Sequence, residues 1–386
     1  MARQLSGQNV SFWVAKQTTD LTNMEFAEVK RTGGDYDETL TSTDSALISS
    51  ERLSADSVIT DSSVSGELST EVLLAESVDM LRVGALQSAT STPFELLGAT
   101  LNVTQSTNLV DGGDFTGVNA NDFIRIDNTD DSTTLILKAA SAGTGTNLAI
   151  VPGYITTDNE FSAKTCNAKT NRYTSGKTQQ KFVIQKRIDG RNPADTADQI
   201  YYTNNDGAEV FLWSFSAATG AILTESFSIT GLSQAVNSTT YPSQSDKSVT
   251  EGSVLGSVQG IEALFIDDVY VPCTVTQLDF SLDNVGTENK AIGQRGACSL
   301  SYDNPTITGT LNTYIFANAP FATKQKFVDQ SKFKLSVVMK SPEGRYMVLT
   351  GEEVKYTALT EPPETGALVS NGSLKFVGRV SLDILH

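Results

Sequence analysis

The sequence predicts a mainly β protein, and three observations lead to that fold class. Hydrophobic residues make up 39% of the 386-residue chain, enough for real cores, whereas charged residues make up only 19%. Ser, Thr, Asn and Gly fill much of the remainder, which suits strands and tight turns better than long helices. Alternation of apolar and polar residues recurs along the chain, and helical spacing occurs in only two short segments. At about 150 residues per domain, this length indicates two or three domains.

Strand signals begin near the start of the chain and continue to its end. Residues 278–283 alternate perfectly, which predicts one buried and one wet face, and residues 225–230 place Phe227 and Ile229 on one face. The other predicted strands are residues 10–14, 67–72, 182–185, 306–315, 333–339, 346–349 and 374–380. The Asn-Asn-Asp-Gly run at 204–207 predicts a turn between strands 200–203 and 210–215.

Two short helices are predicted. In residues 76–87, Val78, Leu81 and Ala85 share one helical face at spacings of three and seven. In residues 320–330, Phe321 and Val328 are seven apart, and Pro320 is tolerated in the first turn.

Two long polar segments, residues 33–63 and 235–256, are predicted to be loops. Both are crowded with Ser, Thr, Asp and Gly, and loops of this length are usually functional or disordered. Their few apolar residues favour arms that become ordered against a partner.

The most informative feature is an internal echo. Residues 63–72 match residues 306–315 position by position at an offset of 243, and Arg52 and Arg295 keep the same offset. The sheet-facing pairs that agree are Val64 with Ile307, Gly66 with Gly309, Leu68 with Leu311 and Thr70 with Thr313. Each copy leads into a predicted helix, so two strand–helix units would bracket the chain. The alternative is chance alternation in a Ser/Thr-rich β protein.

Residues 100–171 differ from their surroundings. They contain short strands separated by turn residues, which is typical of a small β-barrel. Because this segment lies between the two echoing units and carries its own apolar alternation, we expect an insertion with its own small core.

The charge balance argues against a protein that grips nucleic acid. There are 28 basic and 45 acidic residues, a net charge of −17, and such a surface repels phosphate. Two basic stretches stand out, at residues 177–191 and 324–334. They fit a DNA contact, the solvated side of an element, or pairing with acidic surfaces of a sister subunit.

Candidate chemistry is sparse, and we predict no catalytic, cofactor-binding or metal-binding residues and no cofactor. The single histidine, His386, ends the chain, which removes the usual histidine-based arrangements. Cys166, Cys273 and Cys298 are expected to be buried packing thiols. Residues 111–123 resemble a calcium loop only loosely, and the glycines at 143–145 and 293–296 lack phosphate-loop spacing, so turns are expected. No signal peptide and no stretch of about 20 apolar residues is evident.

The order of several segments resembles the tail tube (major tail) proteins of long-tailed, siphovirus-type bacteriophages. These segments are residues 61–71 with the helix that follows, 225–232, the hairpin 263–272, 278–284, Gly293 and 306–314. Asp268 stands where the hairpin of this family usually has Gly. No single motif is specific, and the order and spacing carry the resemblance.

The resemblance implies a tail-tube β-sandwich or barrel with a flanking short α-helix. Its first part would be residues 1–95 and its second part 172–386, with an inserted small β domain at 96–171 on the tube exterior. It also implies hexameric rings stacked into a hollow tube that conducts DNA without sequence-specific binding, with six copies carrying 6 × −17 = −102. The implied partners are further copies, a tape-measure protein, and tail terminator and tail-tip proteins, with no membrane. The chain would be assembled in the host cytoplasm, and at least one long loop would cross between rings.

Two other functions are compatible with a β protein of this kind. The first is a receptor-binding or decoration module for carbohydrate, although the long loops hold few aromatics besides Tyr36 and Tyr241. The second is a hydrolase that uses carboxylates, with Trp13 and Trp213 lining a pocket, although core or interface roles suit these residues better.

Overall fold

The computed structural model describes most of the chain. The described residues are 10–17, 24–45, 57–88, 93–104, 106–130, 133–152, 161–189, 200–234, 245–248, 252–271, 275–314, 323–360 and 369–385.

Strands dominate, as the sequence predicts, and two helices accompany them in the described ranges. In chain order the elements are β1 Val10–Lys16, β2 Glu25–Val29, β3 Gly33–Asp44, β4 Ser57–Glu71, α1 Glu76–Ala85, β5 Phe94–Thr104, β6 Leu109–Asp111, β7 Phe123–Asn128, β8 Thr134–Lys138, β9 Asn147–Ala149, β10 Phe161–Thr170, β11 Arg172–Thr174, β12 Phe182–Asp189, β13 Ile200–Ala218, β14 Thr224–Gly231, β15 Ser233–Gln234, β16 Ser245–Asp246, β17 Ile261–Ile266, β18 Val269–Tyr270, β19 Val275–Asp283, β20 Gly286–Lys290, β21 Ala297–Tyr302, β22 Thr306–Tyr314, α2 Thr323–Val328, β23 Phe333–Lys340, β24 Tyr346–Thr360, β25 Val369–Phe376 and β26 Val380–Leu385.

The centre of the molecule is a run of eight antiparallel strands, which we call the main sheet. Its order is β3–β4–β14–β13–β19–β22–β25–β24. Along β14, Phe227 and Ile229 are buried while the residues between them are not, and β19 shows the same alternation. One face of the main sheet therefore builds the core and the other stays polar, as predicted for residues 225–230 and 278–283.

A second layer covers the apolar face of the main sheet. It contains β17, β23, the first half of β24, and β26. Leu264, Ile266, Leu335 and Val337 point from this layer into the common core. The intervening Phe265 and Val338 point away from that core, into a separate apolar cluster. The architecture is thus a sandwich whose second layer has two apolar faces.

Helix α1 agrees with its prediction. Val78, Leu81 and Ala85 are fully buried against the core. Helix α2 is shorter than the predicted 320–330, and Val328 is 65% exposed, so it does not define an apolar face. Phe327 packs against the core instead. Pro320 and Phe321 lie outside the described residues.

The predicted turn at 204–207 is wrong, because β13 continues through it. Phe182 pairs with Ala208, but Ile184 pairs with Asn205, so β13 carries a bulge there. Gly207 has a φ of +65°. Asp-Gly sequences supply the positive φ that bulges need as well as turns, so the local signal fitted either structure.

The predicted loop at 33–63 is also wrong over its described part. Strands β3 and β4 form a long hairpin, paired from Gly33↔Ser69 to Asp44↔Ser57, and residues 46–56 lie outside the described chain. The outer half of the hairpin is exposed to solvent on both faces, so its sequence is as polar as that of a loop. Its Thr residues nevertheless favour strands. Of the second predicted loop, Ser245–Asp246 pairs in parallel with β2, and 235–244 and 249–251 are outside the described residues.

A single strand at 374–380 was expected, but the structure has two. Both β25 and β26 run along β24, and the ladder is interrupted at residues 377–379. There the Val377 amide donates to the Glu353 carbonyl at 2.8 Å, and the Glu352 amide donates to Arg379 at 3.0 Å. A β-bulge of this kind bends a strand without a strong sequence signal.

The two echoing segments are strands of the same sheet. Val64, Leu68 and Thr70 on β4 are buried, and so are their counterparts at an offset of 243 on β22. Each strand precedes a helix in the chain, α1 and α2. Arg52 lies outside the described residues.

A separate six-stranded sheet is formed within residues 94–170. Its order is β8–β7–β10–β5–β6–β9, and an Ala139↔Ile150 bridge joins its two ends, which closes it into a small barrel. It has its own core around Phe115, Ile124 and Cys166.

The barrel docks onto the outer face of the second layer. Phe123 joins Phe265, Val338 and Val348 in the separate apolar cluster. Lys138 from the barrel forms an ion pair with Asp268, the turn residue that replaces the expected Gly and has a φ of +63°. Burial lowers the pKa of Lys138 to about 8 despite this contact. The barrel is therefore separated from the polar face of the main sheet by two β layers.

Arg82 anchors α1 to the main sheet through a fully buried ionic cluster. Its guanidinium contacts Glu225 at 2.5 Å, Asp79 at 2.6 Å and the Leu73 carbonyl at 2.8 Å. The Trp213 indole also donates to Glu225, at 3.3 Å. A buried charge without its partner is strongly destabilising, so this cluster fixes the helix position.

We expect Arg82→Met to lower the free energy of unfolding by about 3–5 kcal/mol, because Glu225 would lose its compensating charge in the core. Urea unfolding of the subunit measures this. Adding Glu225→Gln should restore part of the loss. Lys332→Met is the matched control, since Lys332 pairs with Glu353 on the surface and should cost less than about 1 kcal/mol. Equal losses in both single variants would contradict the anchoring role.

Asp383 predicts a dependence of stability on pH. It is buried where β26 meets the barrel, and burial raises its pKa to about 8, with Asp122 adding to the shift and Arg172 and Lys138 opposing it. The folded state therefore holds a proton that the unfolded state releases near pH 4, and stability falls as pH rises from about 4 to 8.

We compare the melting temperatures of Asp383→Asn and the native protein. The difference, variant minus native, should increase from pH 5 to pH 9, because only the native protein loses the stabilising proton. Asp61→Asn is the control. The hydrogen bond from Lys290 holds the pKa of Asp61 below its ordinary value. The change in melting temperature caused by Asp61→Asn should therefore be constant over this range. A constant difference for Asp383→Asn would refute the buried proton.

Candidate functional site

The candidate functional surface is the polar face of the main sheet. It carries a shallow depression of about 630 Å³. The outward side chains around it are Glu67 and Ser69 on β4, Ser226 on β14, Ser214 and Ser216 on β13, Asp279 and Ser281 on β19, and Thr308 and Thr310 on β22. Strict alternation along five neighbouring strands places these small polar groups side by side.

Asp279 is the centre of a hydrogen-bond network on this face. Its carboxylate accepts from the Ser216 hydroxyl at 2.6 Å, from the Gln277 amide at 2.7 Å and from the Thr310 hydroxyl. Ser214 and Ser226 are hydrogen-bonded to each other at 2.8 Å across β13 and β14. These cross-strand bonds fix several of the short side chains in place and use part of their hydrogen-bonding capacity.

Acidic groups outnumber basic groups on the outward side of the main sheet. The acidic ones include Asp35, Asp37, Glu67, Glu71, Asp279 and Asp283, and the basic ones include Lys355 and Lys375. Lys186 lies within 2.9 Å of Asp35 and 3.0 Å of Asp37. Partial burial disfavours the charged form of Asp35, but Lys186 and the Tyr36 amide lower its pKa. The face therefore combines hydroxyls with net negative charge, which disfavours tight binding of an anionic ligand.

Aromatic side chains do not provide a stacking platform in this depression. Phe215 and Phe280 border it but point into the core, each 2% exposed, and Trp213 is 1% exposed. A second depression of about 260 Å³ has one aromatic side chain, Tyr270, which is 41% exposed. Sugar recognition normally uses exposed rings, so this geometry does not favour carbohydrate binding.

Five basic residues of the two basic stretches have ionic partners within the same chain. Lys186 contacts β3, as above. Arg187 pairs with Asp246 at 2.6 Å and stacks over Trp13 at 3.8 Å. In the second stretch the pairs are Lys326 with Asp267, Lys332 with Glu353 at 2.6 Å, and Lys334 with Asp268 at 3.4 Å. These pairs lie within the subunit, and pairing of the same stretches with a sister subunit stays a prediction. Arg191 lies outside the described residues.

The remaining residues considered from the sequence do not converge on one site. Cys166 is buried as expected, but Cys298 is exposed, because it lies on the wet hairpin β20–β21. Cys273 and His386 are outside the described residues. Asp114 accepts a hydrogen bond from the Thr116 amide at 3.0 Å, as in a turn, and Gly145 and Gly293 have positive φ.

No group of three or more His, Cys, Asp or Glu side chains within the described ranges is arranged to hold a metal ion. None of their helices is long and apolar enough to cross a membrane.

Comparison with known proteins identifies the class. A family profile described as phage tail tube protein matches residues 7–376. The chain belongs to the phage tail tube protein family. A search of curated proteins finds no match. The protein is therefore a structural component of a phage tail that assembles with itself into a tube in the virion, and the family implies a non-enzymatic role.

Sequence reasoning missed the Arg82 cluster, although one signal was present. Glu225 lies on the same face of its alternating strand as Phe227 and Ile229, and a carboxylate on an apolar face requires a buried cation or a proton. The identity of that cation depended on the tertiary contact with α1.

Proposed function

We propose that the chain polymerises into stacked rings that form the hollow tail tube of a siphovirus-type phage. Each ring follows a hexameric plan with six structural units around a lumen. The tube conducts genomic DNA from capsid to host cell during ejection, without sequence-specific binding.

The polar, acidic face of the main sheet is the observation that carries this proposal. A lumen for DNA needs a wall that does not hold phosphate, and a surface of Ser, Thr and Asp repels a polyanion at short range. The hydroxyls of Ser216 and Thr310 already donate to Asp279, and Ser214 and Ser226 bond to each other, so these hydroxyls are less available to phosphate oxygens. We therefore place Asp279, Ser281 and Thr310 on the lumen wall.

The barrel within residues 96–171 is proposed to be an inserted domain on the tube exterior, flanked by tail-tube parts 1–95 and 172–386. Its docking through Phe123 and Lys138 onto the second layer puts it on the side of the molecule opposite the polar face. If that face lines the lumen, the barrel lies outside.

The proposed partners follow from a tube built in the host cytoplasm. They are a tape-measure protein in the lumen during assembly, and tail terminator and tail-tip proteins at the tube ends. The β3–β4 hairpin and residues 235–256 are proposed to contact neighbouring subunits, at least one of them between stacked rings.

Electron microscopy of the purified protein tests the proposal. We expect rings or tubes with a central channel, and averaged cross-sections should show the barrel as separate outer knobs. In a deletion variant, a short linker replaces residues 100–171, and Phe265→Ser and Val348→Ser make the newly exposed docking face polar. This variant should lose the knobs and keep the channel. Compact monomers at all concentrations would contradict tube formation, and knobs inside the channel would contradict the exterior position.

Hydrogen exchange tests the role of the hairpin. Residues 37–44 on β3 pair with β4 on one side only in the described chain. Their outward amides should exchange fast in the free subunit and become protected in the tube, because a neighbouring subunit would cover that edge. Amides of β13, which has neighbours on both sides, are the control and should be protected in both states. Unchanged exchange at 37–44 would remove the hairpin from the assembly mechanism.

A further inference from the structure

The two halves of the chain repeat one topology. In the first half, β1–β2, β3, β4, α1, β12, β13 and β14 follow one another, interrupted by the barrel. In the second half, β17–β18, β19, β22, α2, β23, β24 and β25 follow in the same order. Each antiparallel pairing of the first set recurs in the second. The recurring pairings are β1–β2 as β17–β18, β1–β12 as β17–β23, β3–β4 as β19–β22, β4–β14 as β22–β25, β12–β13 as β23–β24, and β13–β14 as β24–β25.

Two of the irregularities in the strand ladders recur at matching positions as well. The bulge where Ala208 and Asn205 face β12 has its counterpart where Val354 and Gly351 face β23, in both cases at an offset of 146. A second shift between Val210 and Leu212 recurs between Tyr356 and Ala358, at the same offset. Chance alternation repeats apolar spacing but not bulges in register. The chain therefore contains two copies of one unit.

The two units are joined edge to edge within the chain. The second half of β13 in the first unit pairs with β19 in the second, with Leu212 opposite Asp283 and Trp213 opposite Leu282. The counterpart of β19 in the first unit is β3, at an offset of 244, because Asp35 faces Glu67 as Asp279 faces Thr310. The counterpart of β13 in the second unit is β24.

These two counterparts are the open edges of the main sheet. In the described chain, β3 pairs only with β4, and the segment 355–360 of β24 pairs only with β25. Unpaired edges present rows of free backbone donors and acceptors and invite a further strand. The main sheet thus has one open edge at β3, the counterpart of β19, and one at β24, the counterpart of β13. These are the two strands that form the internal junction.

A hairpin arm reinforces the internal junction. The β20–β21 hairpin of the second unit lies on the first unit, where Lys290 pairs with Asp61 at 2.6 Å and the Tyr302 hydroxyl donates to Glu209 at 2.5 Å. Tyr302 also packs against Phe211 with ring centroids 5.1 Å apart.

The corresponding arm of the first unit is the outer half of the β3–β4 hairpin. It exposes Leu40, Val58 and Ile59 at 46%, 58% and 50%. The arm of the second unit packs on the first unit, whereas the corresponding arm of the first unit exposes its apolar side chains to solvent. This is expected if a second chain covers them.

We propose that the internal junction is repeated between chains, so that β3 of one copy pairs antiparallel with residues 358–360 of β24 in a second copy. The offsets place Thr39 opposite Ala358. Because each chain supplies two units, three copies close a ring of six units, rather than six copies. This inference rests on the proposed ring function. A ring closed by this head-to-tail contact leaves no strand edge unpaired.

Cysteine cross-linking tests the strand pairing. Thr39→Cys and Ala358→Cys are combined in a Cys273→Ser, Cys298→Ser background, and assembled tubes are oxidised and run on a non-reducing gel. We expect a ladder that ends at three chains, because directly opposed residues on paired strands lie within disulfide reach. The control is Thr43→Cys with Ala358→Cys, four residues out of register and roughly 13 Å further along the strand, which should stay monomeric.

Native mass measurement of rings from the unmodified protein tests the stoichiometry without any substitution. Three chains of 41.3 kDa give about 124 kDa, and six give about 248 kDa. Rings of six chains would overturn the inference and leave the tube function standing. Three-chain rings without the cross-link would overturn the strand pairing. The absence of rings and tubes under all conditions would overturn the proposed function and this inference together.

Discussion

The backbone hydrogen-bond ladder of the main sheet is the constraint on which the rest of the structure depends. Each interior strand satisfies its amides and carbonyls on both sides, and the strict alternation that results separates an apolar face from a polar one. The buried face requires a second layer and α1 to cover it. The polar face is left free, and the ladder itself remains open at β3 and β24.

Buried ion pairs hold the layers of the structure together. Arg82 joins α1 to Glu225 on the main sheet, so a helix of ten residues is fixed by a contact far away in sequence. Asp268 plays a related part at the barrel, where it receives Lys138 and Lys334. Its positive φ would suit Gly, but Gly has no carboxylate to hold the barrel. In both places a residue that departs from the simplest local pattern is explained by a long-range ionic partner.

The layer order connects architecture with the role of the family. Under the proposed function, the tube needs an inner wall that releases DNA and an outer surface that tolerates additions. The main sheet presents Ser, Thr and Asp on one side, and the barrel is attached on the other, beyond two β layers. Insertion of the barrel between α1 and β12 leaves the ladder intact, because its first strand pairs with its last at Phe94 and Thr170, directly before β11, which pairs with β26.

Much of this could be predicted from the sequence, and the residues show why the rest could not. Alternation at 225–230 and 278–283, the spacing of Val78, Leu81 and Ala85, and the echo at offset 243 are local patterns, so composition and period were sufficient to give strands, one helix and a repeated strand. The hairpin at 33–63 was missed because a strand that is wet on both faces has no apolar period. The bulge at Gly207 was missed because turns and bulges need the same positive φ. Only the tertiary structure decided that Arg82 meets Glu225 and that Lys138 holds the barrel opposite the polar face, since both contacts join residues more than 100 positions apart. It also decided which edges stay open, because an edge is defined by the strands that do not come to lie beside it.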